Sequence, residues 1–280
     1  MIIDSHVHLG ASTWGNFSPE YLMNIINENV DIAICSNLEG IDSLNFKNEL
    51  NCNLEMLEIS KQYPKIKPLL VCQPNIPENG ENTRKILEKH PEFIGLKFHP
   101  ECMKLPANSD LYNKYLDLAR EFKKPCLYHS GHIKSRFSSP KLIYEKALEY
   151  PDVPIILGHL STGPKQSHID AIEILLDSIE KEKATLYVDI SWIDFLGEKL
   201  NETYEDTIML IEALKNTQKG DFTHRILWAS DCPVGKFNQS QKSYANNLKI
   251  FKQKIMEKFN DQTLLENLLA KNTMKLYDFR

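Results

Sequence analysis

Residues 1–8 read Met-Ile-Ile-Asp-Ser-His-Val-His, a short apolar stretch that ends in two histidines separated by one residue. On a β-strand, side chains two positions apart point to the same face, so His6 and His8 would share a face and Val7 would point the other way. Seven more apolar runs follow, and amphipathic segments separate them. The eight runs cover residues 1–8, 30–36, 67–73, 93–99, 125–129, 153–159, 184–191 and 224–231.

The eight runs predict the strands of a parallel sheet. They are brief, rich in Ile, Leu and Val, and mostly continuous, which is typical of strands buried on both faces. Helical signals lie between them, for example the helix start Ser18-Pro19-Glu20 and the apolar spacing of Ile172, Leu175 and Ile179. Such alternation fits either a (β/α)₈ TIM barrel or an open, doubly wound sheet. Periodicity alone does not separate the two.

Composition limits the classes of function. With 280 residues, the chain has the usual length of a single α/β barrel, and we expect residues 1–280 to form one domain. The net charge of −5 gives no electrostatic reason to expect nucleic acid or an anionic membrane as a partner. No apolar run reaches the roughly 18 residues of a membrane span. Six cysteines without a CxxC pair are typical of reduced thiols, so we expect a cytoplasmic protein.

Histidine and aspartate end several of the apolar runs. His129 ends the fifth run, His159 the sixth and Asp231 the eighth. In a TIM barrel, functional side chains come from the carboxyl ends of the strands. Buried polar groups without partners are unfavourable, and one shared metal would satisfy these three residues together with His6 and His8. The pattern therefore predicts a metal site of imidazole and carboxylate ligands, suited to zinc and its neighbours.

Other residues near the predicted strand ends are candidates for the site. Lys97 and His99, in the fourth run, share a parity, so both face the interior or neither does. In the loop after the fifth run, His132 is a candidate for substrate contact and Arg136 for pairing with a substrate carboxylate. Trp192, after the seventh run, suggests an apolar component of the pocket.

Some polar residues are given lesser roles, and two enzyme classes are disfavoured. Asp4 has the parity of His6 and is expected to orient a metal ligand. His90, His168 and His224 are expected to face solvent.

No glycine-rich phosphate fingerprint and no serine nucleophile elbow occur, which counts against nucleotide-dependent and serine-hydrolase chemistry.

Taken in order, the strand-end residues resemble those of the amidohydrolase superfamily of metal-dependent TIM barrels. The resemblance is greatest to the amidohydrolase-related branch, amidohydrolase family 2. It runs through nearly the whole chain and rests on five positions, His6, His8, His129, His159 and Asp231. The segment Asn-Thr-Met-Lys-Leu-Tyr at residues 272–277 is similar to the C-terminal helix that closes many of these barrels. The resemblance implies a single (β/α)₈ barrel.

Two metal arrangements occur in the family, and the sequence leaves both open. Many relatives bind one ion through four residues, which correspond here to His6, His8, His129 and Asp231. The strand-six histidine, His159, then lies beside the metal-activated water. Some other members carry a strand-four lysine, converted to a carbamate, that bridges two ions. The stretch around Lys97 looks similar to the one that carries this lysine, and His159 would then bind the second ion. The implied cofactor is a divalent metal, most commonly Zn²⁺.

The resemblance implies hydrolysis of an amide, lactone or ester carbonyl of a small molecule by a metal-activated water. Asp231 would act as general acid and base, and His159 would polarise the carbonyl or bind a second metal. Decarboxylation or hydration of a small carboxylic acid at the same site is an alternative. A non-catalytic, metal-stabilised binding barrel is an alternative of another class. Many relatives form dimers, so the resemblance leaves a homodimer open.

Overall fold

A curled sheet of nine strands forms the centre of the protein. The computed structural model describes residues 1–41, 48–76, 79–192, 204–234 and 240–279. The strands are β1 (Ile3–Ser12), β2 (Gly15–Phe17), β3 (Ile32–Asn37), β4 (Ile66–Val71), β5 (Gly95–Phe98), β6 (Cys126–His129), β7 (Ile155–Gly158), β8 (Leu186–Asp189) and β9 (Ile226–Leu227). Their order in the sheet is β2-β1-β3-β4-β5-β6-β7-β8-β9. Strand β2 forms an antiparallel hairpin with β1, whereas the other neighbouring strands are parallel.

Helices connect the parallel strands, as the sequence predicts. They are α1 (Pro19–Ile26), α2 (Glu49–Gln62), α3 (Asn79–Lys89), α4 (Pro100–Met103), α5 (Asn113–Glu121), α6 (Pro140–Glu149), α7 (Lys165–Lys181), α8 (Glu205–Lys215), α9 (Gln241–Phe259), α10 (Gln262–Glu266) and α11 (Asn272–Leu276). The predicted start of α1 is confirmed, because the Ser18 side chain accepts a hydrogen bond from the Tyr21 backbone N–H and Pro19 begins the helix. Within the described ranges, no helix is long and apolar enough to cross a membrane.

The segment that follows β9 lies beside β1. The backbone N–H of Ser5 donates to the Trp228 carbonyl at 3.1 Å, and that of His8 donates to the Cys232 carbonyl at 2.8 Å. In the other direction, the Asp231 N–H donates to the His6 carbonyl at 2.9 Å. These bonds bring the carboxyl end of β9 next to that of β1, so the curled sheet gathers its strand ends around one region.

Apolar side chains fill the inside of the curled sheet. This layer takes single residues from six strands and two from the C-terminal segment, namely Ile3, Ile34, Leu69, Leu127, Ile156, Leu227, Ala270 and Tyr277. Tyr277 packs against β5 at Gly95, where a Cβ atom would come within 3.1 Å of the tyrosine ring and 2.8 Å of the Pro125 carbonyl. The interior below the strand ends is therefore a packed core.

Asp4 does not share the face of His6, so the prediction from parity is wrong. The pairing of β1 with β3 shifts register between Asp4 and Val7, and such an irregularity breaks the alternation of faces. Asp4 accepts hydrogen bonds from the Ser230 side chain and from the Tyr244 hydroxyl on α9, at 2.6 Å for the latter. Burial raises the pKa of Asp4 to about 7. Its carboxyl group thus ties β1 to α9 on the outside of the sheet.

A second buried carboxyl group, Glu49 at the start of α2, joins several elements. It accepts hydrogen bonds from the hydroxyls of Thr83 and Tyr115 at 2.5 and 2.7 Å, and from the backbone N–H of Gln73 at 2.7 Å. Gln73 in turn donates to the Gly40 carbonyl after β3 at 2.9 Å. Burial raises the pKa of Glu49 from its usual 4.5 to about 7. Glu49 therefore holds the segments that follow β3 and β4 together.

We expect Glu49→Gln to change the pH dependence of stability. Between pH 4.5 and 7 the folded protein keeps the Glu49 proton while the unfolded chain releases it, so this group lowers the free energy of unfolding as pH rises. The free energy of unfolding of Glu49→Gln relative to the wild type should increase across this range by about 3 kcal/mol. Urea denaturation at several pH values measures it. Glu58→Gln, on the exposed face of α2, serves as the control and should show no such trend.

Candidate active site

The carboxyl ends of the parallel strands surround a cavity of about 170 Å³. Seven of the residues predicted from the sequence line it, namely His8, Lys97, His99, His129, His159, Trp192 and Asp231. Trp14, Leu38, Thr162 and Val234 complete the wall. His6 lies directly beneath and is fully buried. The sheet thus brings the strand-end residues together at one edge, where parallel α/β proteins have their functional sites.

His6, His8 and Asp231 converge in one group. Oδ1 of Asp231 lies 3.0 Å from Nε2 of His8 and 3.7 Å from Nε2 of His6. The potential metal-binding atoms of the three residues lie within 4.8 Å of one another. Burial acts to raise the pKa of Asp231, but His159, His8 and His6 outweigh it and leave that pKa below its usual value. Asp231 is therefore a carboxylate acceptor among imidazoles.

Lys97 points into the site. Its Nζ lies 2.7 Å from Nε2 of His6, and the side chain is 1% exposed. Burial lowers the pKa of Lys97 to about 8, against the opposing effects of Asp231 and Asp189. Burial, reinforced by the Lys97 charge, also lowers the pKa values of both strand-one histidines. The imidazoles are thus kept neutral, which is the form that binds metals.

His129 and His99 form the other side of the cavity. Their rings stack with centroids 4.0 Å apart, and the His129 ring is 5.2 Å from that of His159. Nδ1 of His99 accepts a hydrogen bond from the Cys102 backbone N–H, which caps α4. Among the described residues, His129 is in neither group of closely converging metal-binding atoms. It lines the same cavity as Asp231 but stands apart from the His6–His8 pair.

Trp192 contacts the carboxylate directly. Its indole Nε1–H donates a hydrogen bond to Oδ2 of Asp231, while His8 lies at Oδ1. Trp192, Asp231 and His159 have φ angles of +63°, +57° and +70°, in the left-handed region that favours glycine. Such conformations are unfavourable for these residue types and concentrate at functional sites. The sequence predicts Trp192 as an apolar component of the pocket; it lines the cavity and also orients Asp231.

Two of the predicted residues lie in an adjoining cavity of about 410 Å³. His132 and Arg136 line it, and it shares His129 and Thr162 with the first cavity. Arg136 is exposed and makes no hydrogen bond or ion pair with any part of the chain that the structure describes. Both residues are therefore beside the strand-end cavity rather than in it.

Sequence reasoning missed three residues that hold the histidines. Asp189 at the end of β8 lies 2.9 Å from Nδ1 of His6, Ser36 lies 2.9 Å from Nδ1 of His8, and Ser191 lies 2.7 Å from Nδ1 of His159. Asp189 gave the same signal as Asp231, a charge at the end of an apolar run. The two serines carry no comparable signal, because serine is common after strands.

His168 does not face solvent, contrary to the prediction. It is buried on α7, and its Nδ1 lies 2.6 Å from Oδ2 of Asp206 on α8. The pair joins two neighbouring helices. The position of His168 in a predicted helix therefore did not indicate whether its side chain is exposed.

The sequence matches a known family along almost its full length. A family model for amidohydrolases matches residues 3–279. The chain belongs to this amidohydrolase family. A search of curated proteins gives no match.

Solved structures of similar fold cover the whole chain. A probable 2-pyrone-4,6-dicarboxylic acid hydrolase from Acinetobacter baumannii, with citric acid bound, is 17% identical over 99% of both chains, with a TM-score of 0.70. An amidohydrolase from Burkholderia multivorans with bound zinc is 10% identical over 100% of both chains, with a TM-score of 0.70. A 5-carboxyvanillate decarboxylase from Sphingomonas paucimobilis is 10% identical over 100% of this chain and 99% of that one, with a TM-score of 0.67. A hydratase and a TIM-barrel protein also match, and at these identities the similarity establishes the fold.

The donor atoms of His6, His8 and Asp231 fit a divalent metal. Two imidazole nitrogens and one carboxylate oxygen are ligands that zinc and its neighbours accept, and three protein ligands leave a position for water. Ser36 can donate to or accept from His8, so it supports either tautomer. A second group, His6, His159 and Asp189, fits less well because Asp189 is fully buried, does not line the cavity, and has three hydrogen-bond donors on Oδ1 alone.

We expect one Zn²⁺ ion per chain, and Lys97→Met should not reduce that number. The Lys97 amine forms a hydrogen bond with Nε2 of His6, so its removal frees that atom to bind the metal and removes no metal ligand. His8→Ala should lower zinc affinity by about 100-fold or more. Elemental analysis and zinc titration of the chelated protein measure both effects, with His132→Ala as the control. Two ions in the wild type that fall to one or none in Lys97→Met would instead support a bridging, carbamylated lysine.

Proposed function

We propose that the protein is a metal-dependent hydrolase that acts on an amide, ester or lactone carbonyl of a small molecule. The observation that carries the proposal is the convergence of His6, His8 and Asp231 at the edge of a cavity, in a chain of the amidohydrolase family. Structural neighbours include hydrolases, one of them with bound zinc. A site for a small-molecule substrate is further supported by the position of the cavity at the strand ends.

His6 and His8 would hold the metal through their Nε2 atoms, together with Asp231. When bound, a divalent metal supplies a Lewis acid that acidifies water and polarises carbonyl oxygens. Asp231 would take the proton of the attacking water and later deliver it to the leaving group. Trp192, bonded to Oδ2, would keep the carboxylate aimed at the cavity during both transfers. Lys97 would give up its bond to His6 as the site is filled.

The size of the cavity supports a small substrate. A cavity of about 150 Å³ is known to hold a benzene-sized molecule, and this one measures about 170 Å³. Trp14 lies over His99 with centroids 6.1 Å apart, and His99 stacks on His129, so aromatic rings form one wall. We therefore expect the reacting part of the substrate to be about the size of a single ring.

The proposal includes a closed (β/α)₈ barrel formed by residues 1–280 as one domain, with the C-terminal helix α11 against its base. It is supported by the hydrogen bonds between β1 and residues 228–232, and by the packing of Tyr277 inside the sheet. A TIM-barrel neighbour covers 99% of this chain with a TM-score of 0.66.

We expect Asp231→Asn to lose turnover by about 100-fold or more, because proton transfer by a positioned group contributes that much or more to the rate. The asparagine keeps an oxygen that can bind the metal, so zinc content should change little. Kinetics on a panel of esters, lactones and amides, with elemental analysis, test this. Asp152→Asn, on the surface beside Arg120, is the control. Chelation should abolish turnover and zinc should restore it; full activity of the metal-free protein would contradict the proposal.

A second candidate function is decarboxylation or hydration of a small carboxylic acid. It is favoured by Arg136, which lines the adjoining cavity and has no bond to the described part of the chain. A guanidinium is well suited to bind a carboxylate at two points. The neighbours named as a decarboxylase and a hydratase support the same alternative.

For a carboxylate substrate, Arg136→Gln should raise KM by about 10- to 100-fold, because a hydrogen bond to a charged group is lost. The matched change Lys134→Gln, on the same exposed loop, should leave KM unchanged. Release of carbon dioxide from a panel of acids, without cleavage of esters or amides, would select the decarboxylase over the hydrolase. Equal KM values for the two variants would argue against Arg136 as the carboxylate partner.

A further inference from the structure

Asp189 is a buried carboxylate surrounded by hydrogen-bond donors. Its Oδ2 lies 2.9 Å from Nδ1 of His6. Its Oδ1 accepts from the backbone N–H groups of His159 and Ser191, at 3.0 and 3.1 Å, and from the Ser191 hydroxyl. An ionised carboxylate can only accept hydrogen bonds. In each hydrogen bond to Asp189 the proton is therefore carried by the neighbouring group.

The first consequence concerns His6. Because Asp189 only accepts, the His6 Nδ1 atom must carry the proton of this bond. A neutral imidazole has one N–H, so the lone pair lies on Nε2, which faces Asp231 and Lys97. Asp189 thus presents His6 to the site as a lone-pair donor.

The second consequence concerns His159, through Ser191. A serine hydroxyl has one proton, and that of Ser191 is used in the bond to Asp189. The Ser191 oxygen must then accept from Nδ1 of His159, which lies 2.7 Å away. The neutral His159 ring consequently carries its proton on Nδ1 and has a lone pair on Nε2. Within the described residues, this Nε2 makes no hydrogen bond.

We propose that Asp189 and Ser191 are positioning residues that fix the tautomers of two site histidines, His6 directly and His159 through the serine hydroxyl. The role of His159 in catalysis rests on the proposed function. With its proton on Nδ1, neutral His159 can accept a proton or bind a metal at Nε2, but this atom cannot donate a hydrogen bond to a carbonyl oxygen. The structure thereby assigns His159 the role of a base or ligand. The proton positions themselves do not depend on which reaction the site performs.

The surrounding backbone is shaped for this contact. At Gly158, the last residue of β7, a Cβ atom would lie 3.4 Å from Asp189 Oδ2 and from the His6 ring, and 2.8 Å from the Tyr128 carbonyl. The left-handed turn at His159 then directs its N–H toward Asp189. Glycine at this position avoids a clash with the Tyr128 carbonyl, and the turn completes the set of donors to Asp189.

Nitrogen NMR of the histidine rings tests the proposal. Full-length protein with ¹⁵N-labelled histidine would be studied at pH 8.5, above the ordinary histidine pKa of about 6.5, before and after chelation. His159→Gln and His6→Gln identify the two ring signals. In the wild type we expect Nδ1–H on both rings. Ser191→Thr should preserve this pattern, Ser191→Ala should shift the His159 proton toward Nε2, and Asp189→Asn should disturb both rings.

Kinetics separate this proposal from the proposed function. Ser191→Ala should lower kcat by about 10- to 100-fold, as expected for loss of one buried hydrogen bond, with KM and zinc content unchanged. Ser191→Thr should restore kcat. Ser178→Ala, a buried serine on α7 away from the cavity, is the matched control. An Nε2–H tautomer of His159 in the wild type, or no shift in Ser191→Ala, would overturn the proposal even if the protein is a hydrolase. The expected tautomers without hydrolysis would leave it standing and refute only the proposed function.

Discussion

The site depends on the hydrogen bonds that offset the burial of two carboxylates, Asp189 and Asp231. An unpaired buried charge destabilises a protein by several kcal/mol, so each carboxylate must be surrounded by donors. Asp231 is satisfied by His8 and the Trp192 indole, and Asp189 by His6 and residues 159 and 191. The side chains available for chemistry are therefore the same ones that make the burial of charge tolerable. Binding geometry and local stability are set by one network.

The backbone contributes to this network at the points where the strands end. His159, Trp192 and Asp231 all line the cavity, and all three have left-handed backbone conformations. Backbone hydrogen bonds between neighbouring segments help to hold these conformations in place, such as that between the Asp231 N–H and the His6 carbonyl. Packing below them is conventional and apolar, which gives the strained turns a rigid base.

Much of the fold could be predicted from the short apolar runs of buried strands, and the centre of the site from the polar residues at their ends. His6 and His8 share a face, and the eight predicted runs correspond to the eight parallel strands. Asp4 was misplaced because a register shift inside β1 breaks the alternation of faces, and no residue type marks it. The hairpin strand β2 was not foreseen. Ser36 and Ser191 were missed because their importance lies in which atoms they meet across the sheet, and this depends on tertiary structure.

The packing of Tyr277 against Gly95 has a consequence for how the protein is made. The inner layer joins Ile3 from the first strand with Tyr277 from the last helical segment. During translation, the inside of the sheet therefore stays incomplete, with apolar strands uncovered, until residue 277 has left the ribosome. The nascent chain therefore has an incomplete apolar layer from the synthesis of Ile3 until that of Tyr277, and a polypeptide that stops before residue 277 would have an open core.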